Sequence, residues 1–142
     1  MKLNVDCIRD VLLYLEENLS IKDGNKFSKI TLKQLKNALT QYDDDDIFYA
    51  VYNLYQAKYI DGKITNTRDV KMVFCNITEI TWAGHAFLDS IKPPTIWDAT
   101  KKGAAKLGLV SIKALAEIAT KLTNELISNP TTIAKIVEFL PK

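Results

Sequence analysis

The feature that most constrains the fold of this 142-residue chain is a change of apolar period along its length. Up to Ile60, apolar residues recur three and four apart, the spacing of helices that bury one face. Between Lys63 and Ile77, short stretches rich in β-branched and aromatic residues take over, as in strands. From Trp82 onward the helical spacing returns. Such an order predicts a mainly helical α+β protein.

The local signals fill in this outline. Asn4 is placed to cap a helix running to Asn18, with Cys7, Ile8, Val11, Leu12, Leu15 and Leu19 on one face. Arg9, Asp10, Glu16 and Glu17 lie opposite. The pattern breaks around Gly24, and FSKI (27–30) is expected as a short strand. Thr31 and Gln34 form a capping box that opens TLKQLKNAL, which buries Leu32, Leu35 and Leu39. After a polar break comes QYDDDDIFYAVYNLYQAKYID (41–61), the second helix of a helix-turn-helix. Asp61-Gly62 reads as a turn, and Lys63 to Thr65 and Val70 to Ile77 read as strands joined by the loop NTRD. Helix, strand, helix, helix, strand, loop, strand is the order of a winged helix, with NTRD at the wing tip. The predicted organisation is a winged-helix domain over 1–80 and a helical extension over 81–142.

LYQAKYI (54–60) looks like the ending of winged-helix recognition helices, with Lys58 where glycine is usual. ITWAGHAFLDSI (80–91), IWDATKKGAAKLG (96–108) and the opening MKLNVDCIRDVLLYLEEN together resemble an uncharacterised family of bacterial and prophage proteins, a domain of unknown function within the winged-helix group. That resemblance implies a fold and a setting in mobile elements, and no established activity. At position 58, glycine would end the helix in a left-handed conformation at little cost; lysine brings that turn into question.

The four aspartates Asp43–Asp46 stand where a DNA-reading helix would meet a polyanion. Carboxylates at a helix N-terminus stabilise it by roughly 0.3–1 kcal/mol each, and one can serve as the cap. They also repel phosphate. Helical spacing puts Ile47, Ala50, Val51 and Leu54 in the core and Phe48, Tyr52, Tyr55 and Tyr59 in an adjoining aromatic stripe. Tyr49, Asn53 and Gln56 are left facing outward, together with Tyr52 in one reading.

Two functions follow. One is a DNA-binding regulator using Asn53 and Gln56 on base edges, Lys63, Arg68 and Lys71 in the wing, and Lys101, Lys102 and Lys106 further on. The other is a protein-interaction module, such as a phage factor that engages a host protein through Asp43, Asp44, Asp45, Asp46, Tyr49 and Tyr52.

Beyond the wing, Trp82 to Ile91 is expected as a helix with His85 near its first turn, in a packing or hydrogen-bonding role. Lys92-Pro93-Pro94 stops it. Thr95 is expected to cap the next helix with Asp98 at its third position, and Trp97 to pack inward. Residues 111–128 form an amphipathic helix with a Glu117–Lys121 pair on its polar side. Thr131 to Leu140 form a last short helix, and 111–140 is a candidate homodimer surface.

The remaining signals exclude more than they identify. Residues 1–92 hold 12 basic and 13 acidic groups and residues 93–142 hold 7 and 4, a charge balance that singles out no polyanion. One histidine and two separated cysteines, Cys7 and Cys75, argue against a zinc site and fit reduced thiols in a cytoplasmic protein. Nucleotide-binding glycine loops and catalytic motifs are missing, so neither an enzyme nor a cofactor is expected. No apolar run is long enough for a membrane span.

Overall fold

The computed structural model describes residues 1–128; the helix expected over 131–140 lies outside them. Helix α1 (Val5–Asn18) starts where Asn4 accepts a hydrogen bond from the Cys7 amide. Its buried stripe is Cys7, Ile8, Val11, Leu12 and Leu15, the face read from the sequence apart from Leu19, which is the C-cap and only half-buried. Two short strands follow, β1 (Ile21–Lys22) and β2 (Lys26–Phe27), paired as an antiparallel hairpin. Asp23 and Gly24, both at positive φ, make its turn. FSKI is therefore divided, because Phe27 closes this hairpin while Ile30 begins β3 (Ile30–Thr31) in another sheet.

Helix α2 (Leu32–Ala38) opens on the expected capping box between Thr31 and Gln34. Helix α3 (Asp44–Gln56) is capped by Asp43, which accepts from the Asp46 amide, and buries Ile47, Ala50, Val51 and Leu54 against α1 and α2. It ends in a Schellman motif. The Lys58 amide donates to the Tyr55 carbonyl at 3.0 Å and the Tyr59 amide to Leu54 at 2.9 Å, with Lys58 at φ 63°. The left-handed turn thus forms with lysine where glycine would be unstrained.

Strands β4 (Ile60–Thr65) and β5 (Phe74–Ile80) form an antiparallel pair, and β3 adds to the far side of β5, so the sheet order is β3-β5-β4. Asp61-Gly62 is not the turn expected from its composition. It lies inside β4 at a bulge, where a Cβ on Gly62 would sit 2.0 Å from the Asn76 carbonyl oxygen.

Helices α4 (Trp82–Ile91), α5 (Pro94–Leu107) and α6 (Ile112–Ser128) pack on one another, and α4 packs on α1 and β5. Gly84 permits the close approach of α4 to the α3–β4 junction, since a Cβ there would fall 1.9 Å from the Tyr59 carbonyl oxygen. Helix α5 starts two residues earlier than expected. Pro94 sits in its first turn and Pro93 is the N-cap, without a side-chain capping bond, so Thr95 does not cap it. Glu117 and Lys121 do not come within ion-pair distance, unlike Lys102 and Asp98 on α5 at 3.0 Å. A single apolar cluster runs from Cys7 on α1 to Ala119 on α6.

Polar groups reinforce that continuity. Arg9 reaches the C-terminal end of α4, donating to the Ile91 carbonyl at 3.0 Å and the Lys92 carbonyl at 2.6 Å. Asp6 accepts from the Trp97 indole and from the Lys101 ammonium, both at 2.9 Å. Burial raises the Asp6 carboxyl, but these two bonds and the charges of Lys101 and Arg9 outweigh it and hold the group below its ordinary value. Burial, reinforced by the carboxylates of Asp46, Asp10 and Asp43, pushes the Cys7 thiol up to about 12.

Candidate functional site

The residues singled out around α3 occupy one face, but they do not act alike. Of the four aspartates, Asp43 caps the helix and Asp46 accepts from the Asn4 side chain at 3.2 Å. Asp44 and Asp45 are exposed and make no ion pair among the described residues. Two of the four carboxylates therefore build the local structure, and two project a negative charge from the positive end of the helix dipole.

Next to this tip, a groove of about 590 Å³ runs between α3 and the loop joining β4 to β5. Asp45, Asp46, Phe48, Tyr49, Tyr52 and Lys71 line it, together with Met1 and Lys2. Phe48 and Tyr52 stack nearly parallel, with ring centroids 6.3 Å apart. Tyr52 also borders a second hollow that continues toward the end of α3, where Tyr55, Gln56, Lys58 and Asn66 meet. A half-buried aromatic floor thus extends along α3 from its acidic tip to its last turn.

The polar residues expected to read bases are already engaged. The Asn53 side-chain amide donates to the Tyr49 carbonyl of its own helix at 2.7 Å, and that of Gln56 donates to the Tyr52 hydroxyl at 2.8 Å. Asn53 is half-buried rather than outward. In the β4–β5 hairpin, Lys63, Arg68 and Lys71 are exposed, and of these only Lys71 borders the groove with the aspartates. The same hairpin exposes Val70 and Val73 in its loop and Phe74 at the start of β5, apolar groups that composition alone did not mark as outward.

The α5 cations are divided. Lys101 is committed to Asp6 and lies over the Trp97 ring at 5.6 Å. Lys102 pairs with Asp98, and Lys106 stands exposed in the last turn. His85, expected to pack or hydrogen-bond, is instead exposed.

Among the described residues, no group of three or more His, Cys, Asp or Glu side chains is arranged to hold a metal ion, and no helix is long and apolar enough to cross a membrane. No solved structure matches the chain. An uncharacterized protein of Haemophilus influenzae (strain ATCC 51907 / DSM 11121 / KW20 / Rd) is 25% identical over 129 residues, which cover 90% of this chain and all of that protein. Residues 2–110, well over half of the chain, match the family described as "Hypothetical protein (DUF2513)", and the chain belongs to that family.

Proposed function

We propose that the first half is a winged helix-turn-helix used as a non-enzymatic protein-binding module, whose α3–wing groove takes a short segment of another protein. The sheet order β3-β5-β4 around α2 and α3 supports the fold assignment, since a winged helix builds its sheet in that order. The observation that carries the function is the groove itself, where exposed carboxylate, half-buried tyrosine and phenylalanine, and the Lys71 cation converge. Aromatic side chains offer large contact area with little rotamer entropy to lose, and they recur as anchors at protein interfaces. The carboxylates at one end select a segment with lysine or arginine beside an apolar anchor. The resemblance to prophage proteins fits a partner from a bacterial host.

Duplex DNA is the second reading, favoured by Lys63, Arg68 and Lys71 standing exposed on the hairpin next to α3. It meets a physical obstacle. A phosphate about 6 Å from one aspartate is repelled by roughly 0.7 kcal/mol even in water, and duplex affinity rests on phosphate neutralisation.

Selection from a random peptide library displayed on phage tests the protein reading. Enriched peptides are expected to carry a basic residue within a few positions of an aromatic or aliphatic anchor. Their binding should fall at least tenfold with Tyr52→Ala and with the double change Asp44→Lys, Asp45→Lys. Failure to enrich any sequence, or enrichment indifferent to both variants, would reject the groove as the binding site.

A further inference from the structure

Strand β4 is an open edge. The sheet order β3-β5-β4 gives it β5 on one side and no strand on the other among the described residues. Alternate backbone amides and carbonyls of an edge strand point away from the ladder, where another extended chain can pair with them. The side chains of β4 alternate regularly from Ile60 to Thr65, because the extra residue of the bulge, Thr78, belongs to β5. Asp61, Lys63 and Thr65 are exposed on one face, while Ile60 is buried and Ile64 half-buried on the other.

Lysine on an exposed edge ordinarily discourages strand pairing. Here it has a counterpart. Asp61 and Lys63 stand two residues apart on the same face, and neither has an ion-pair partner among the described residues. The Asp61 carboxylate accepts from the Gly62 amide through Oδ1 at 2.8 Å, which holds it beside the strand and leaves Oδ2 for a cation.

We propose that β4 pairs antiparallel with β4 of a second copy about a two-fold axis at Gly62, so that two three-stranded sheets become one continuous sheet. The side chains select this occupant and this register. With Gly62 facing its own copy, Asp61 of each chain lies opposite Lys63 of the other, and Ile60 lies opposite the half-buried Ile64. Centring the pair one residue earlier sets Asp61 against Asp61, and one residue later sets Lys63 against Lys63. A foreign strand carrying only acidic or only basic residues at these positions would be attracted by one side chain and repelled by the other. The same rotation carries each β4–β5 loop past Tyr59 of the twin toward the hollow at the end of α3, about 470 Å³ in volume and lined by Tyr52, Tyr55 and Gln56. Val70 and Val73, exposed on that loop, find apolar cover there. The proposal does not rest on the binding of a foreign segment at the acidic tip of α3. It requires only that β4 be open, and the variants that test it leave Asp44, Asp45 and Tyr52 unchanged.

Analytical ultracentrifugation of the full chain over a wide concentration range provides the test, with far-UV circular dichroism as the check on folding. The expected species has twice the 16.0 kDa chain mass. Asp61→Lys and Lys63→Asp, both at exposed positions, should each weaken dimerisation at least tenfold, because each sets like charges across the axis. Mixing the two single variants should restore dimers as heterodimers, and the chain carrying both changes should dimerise on its own. Hydrogen exchange adds a local readout: the amides of β4 should gain protection as protein concentration rises. A chain that stays monomeric throughout would overturn the proposal. So would a dimer indifferent to both single variants, a mixture of the two that stays monomeric, or β4 amides whose exchange ignores concentration.

Discussion

Lys58→Gly should make this protein more stable, although it deletes a side chain and removes nothing from the core. Lys58 sits at φ 63° in the Schellman turn that ends α3. An L-residue held in that region costs roughly 1–2 kcal/mol, because its Cβ crowds the following carbonyl. Glycine avoids the crowding but brings about 0.5–1 kcal/mol of extra chain entropy to the unfolded state. The side chain is exposed, and the bonds at this corner use backbone atoms: the Lys58 amide to Tyr55, and the Lys58 carbonyl from the Thr81 hydroxyl. Both survive the substitution. The difference leaves a net gain of about 0.5–1 kcal/mol, or a rise of about 2–4 °C in Tm for a chain of this size. Urea denaturation and thermal melts of wild type, Lys58→Gly and Lys58→Ala measure it, with alanine, which keeps a Cβ, expected to show no gain. A glycine variant no more stable than the alanine variant would refute the left-handed assignment at this position.

Other consequences follow from particular contacts. Gly84→Ala should destabilise by more than ~2 kcal/mol, because the new methyl meets the Tyr59 carbonyl within α4's closest packing contact; equilibrium unfolding measures it. Both cysteines should resist iodoacetamide at pH 8 in the native state and react fully in denaturant, since burial raises Cys75 to about 11 and burial with three neighbouring carboxylates raises Cys7 to about 12. Asp6→Asn should cost no more than about 1 kcal/mol at pH 7, because the carboxylate is half exposed. Its folded-state pKa is depressed, so its contribution is complete above the unfolded value near 4 and fades as pH falls through the lower folded value. The stability gap between wild type and Asp6→Asn should therefore narrow as pH is lowered from 5 toward 2.

What could be read from the sequence was what depends on near neighbours. The caps at Asn4, Thr31 with Gln34, and Asp43 involve residues three positions apart, and all three form. The buried stripes of α1 and α3 follow from periodicity, and the core contains those positions. Features set by distant partners were not legible. Asp61-Gly62 has turn composition, but pairing with Asn76 and Ile77 draws it into a bulged strand. Arg9 looks like a solvent-facing charge on α1 until Ile91 and Lys92 arrive beside it. The α3 site was partly legible: the aspartate tip and the tyrosines were visible, but the role of Asn53 was not, because no periodicity reveals that a side chain bonds its own helix. Trp82 was legible only as the first residue of a helix, with no signal of its exposure. Only its place at the start of α4, where the chain turns outward from the sheet, exposes it.

The central claim is that the α3–wing face engages protein rather than nucleic-acid phosphate, and binding to duplex DNA tests it most directly. Fluorescence anisotropy with a labelled random 20-base-pair duplex, titrated at about 50 mM and about 200 mM salt, would measure that binding. Wild type should show no saturable binding at micromolar protein, and Asp44→Lys with Asp45→Lys should create salt-sensitive binding. Tight binding by the wild type that drops steeply with salt and is lost when Lys63, Arg68 and Lys71 are replaced by alanine would contradict it.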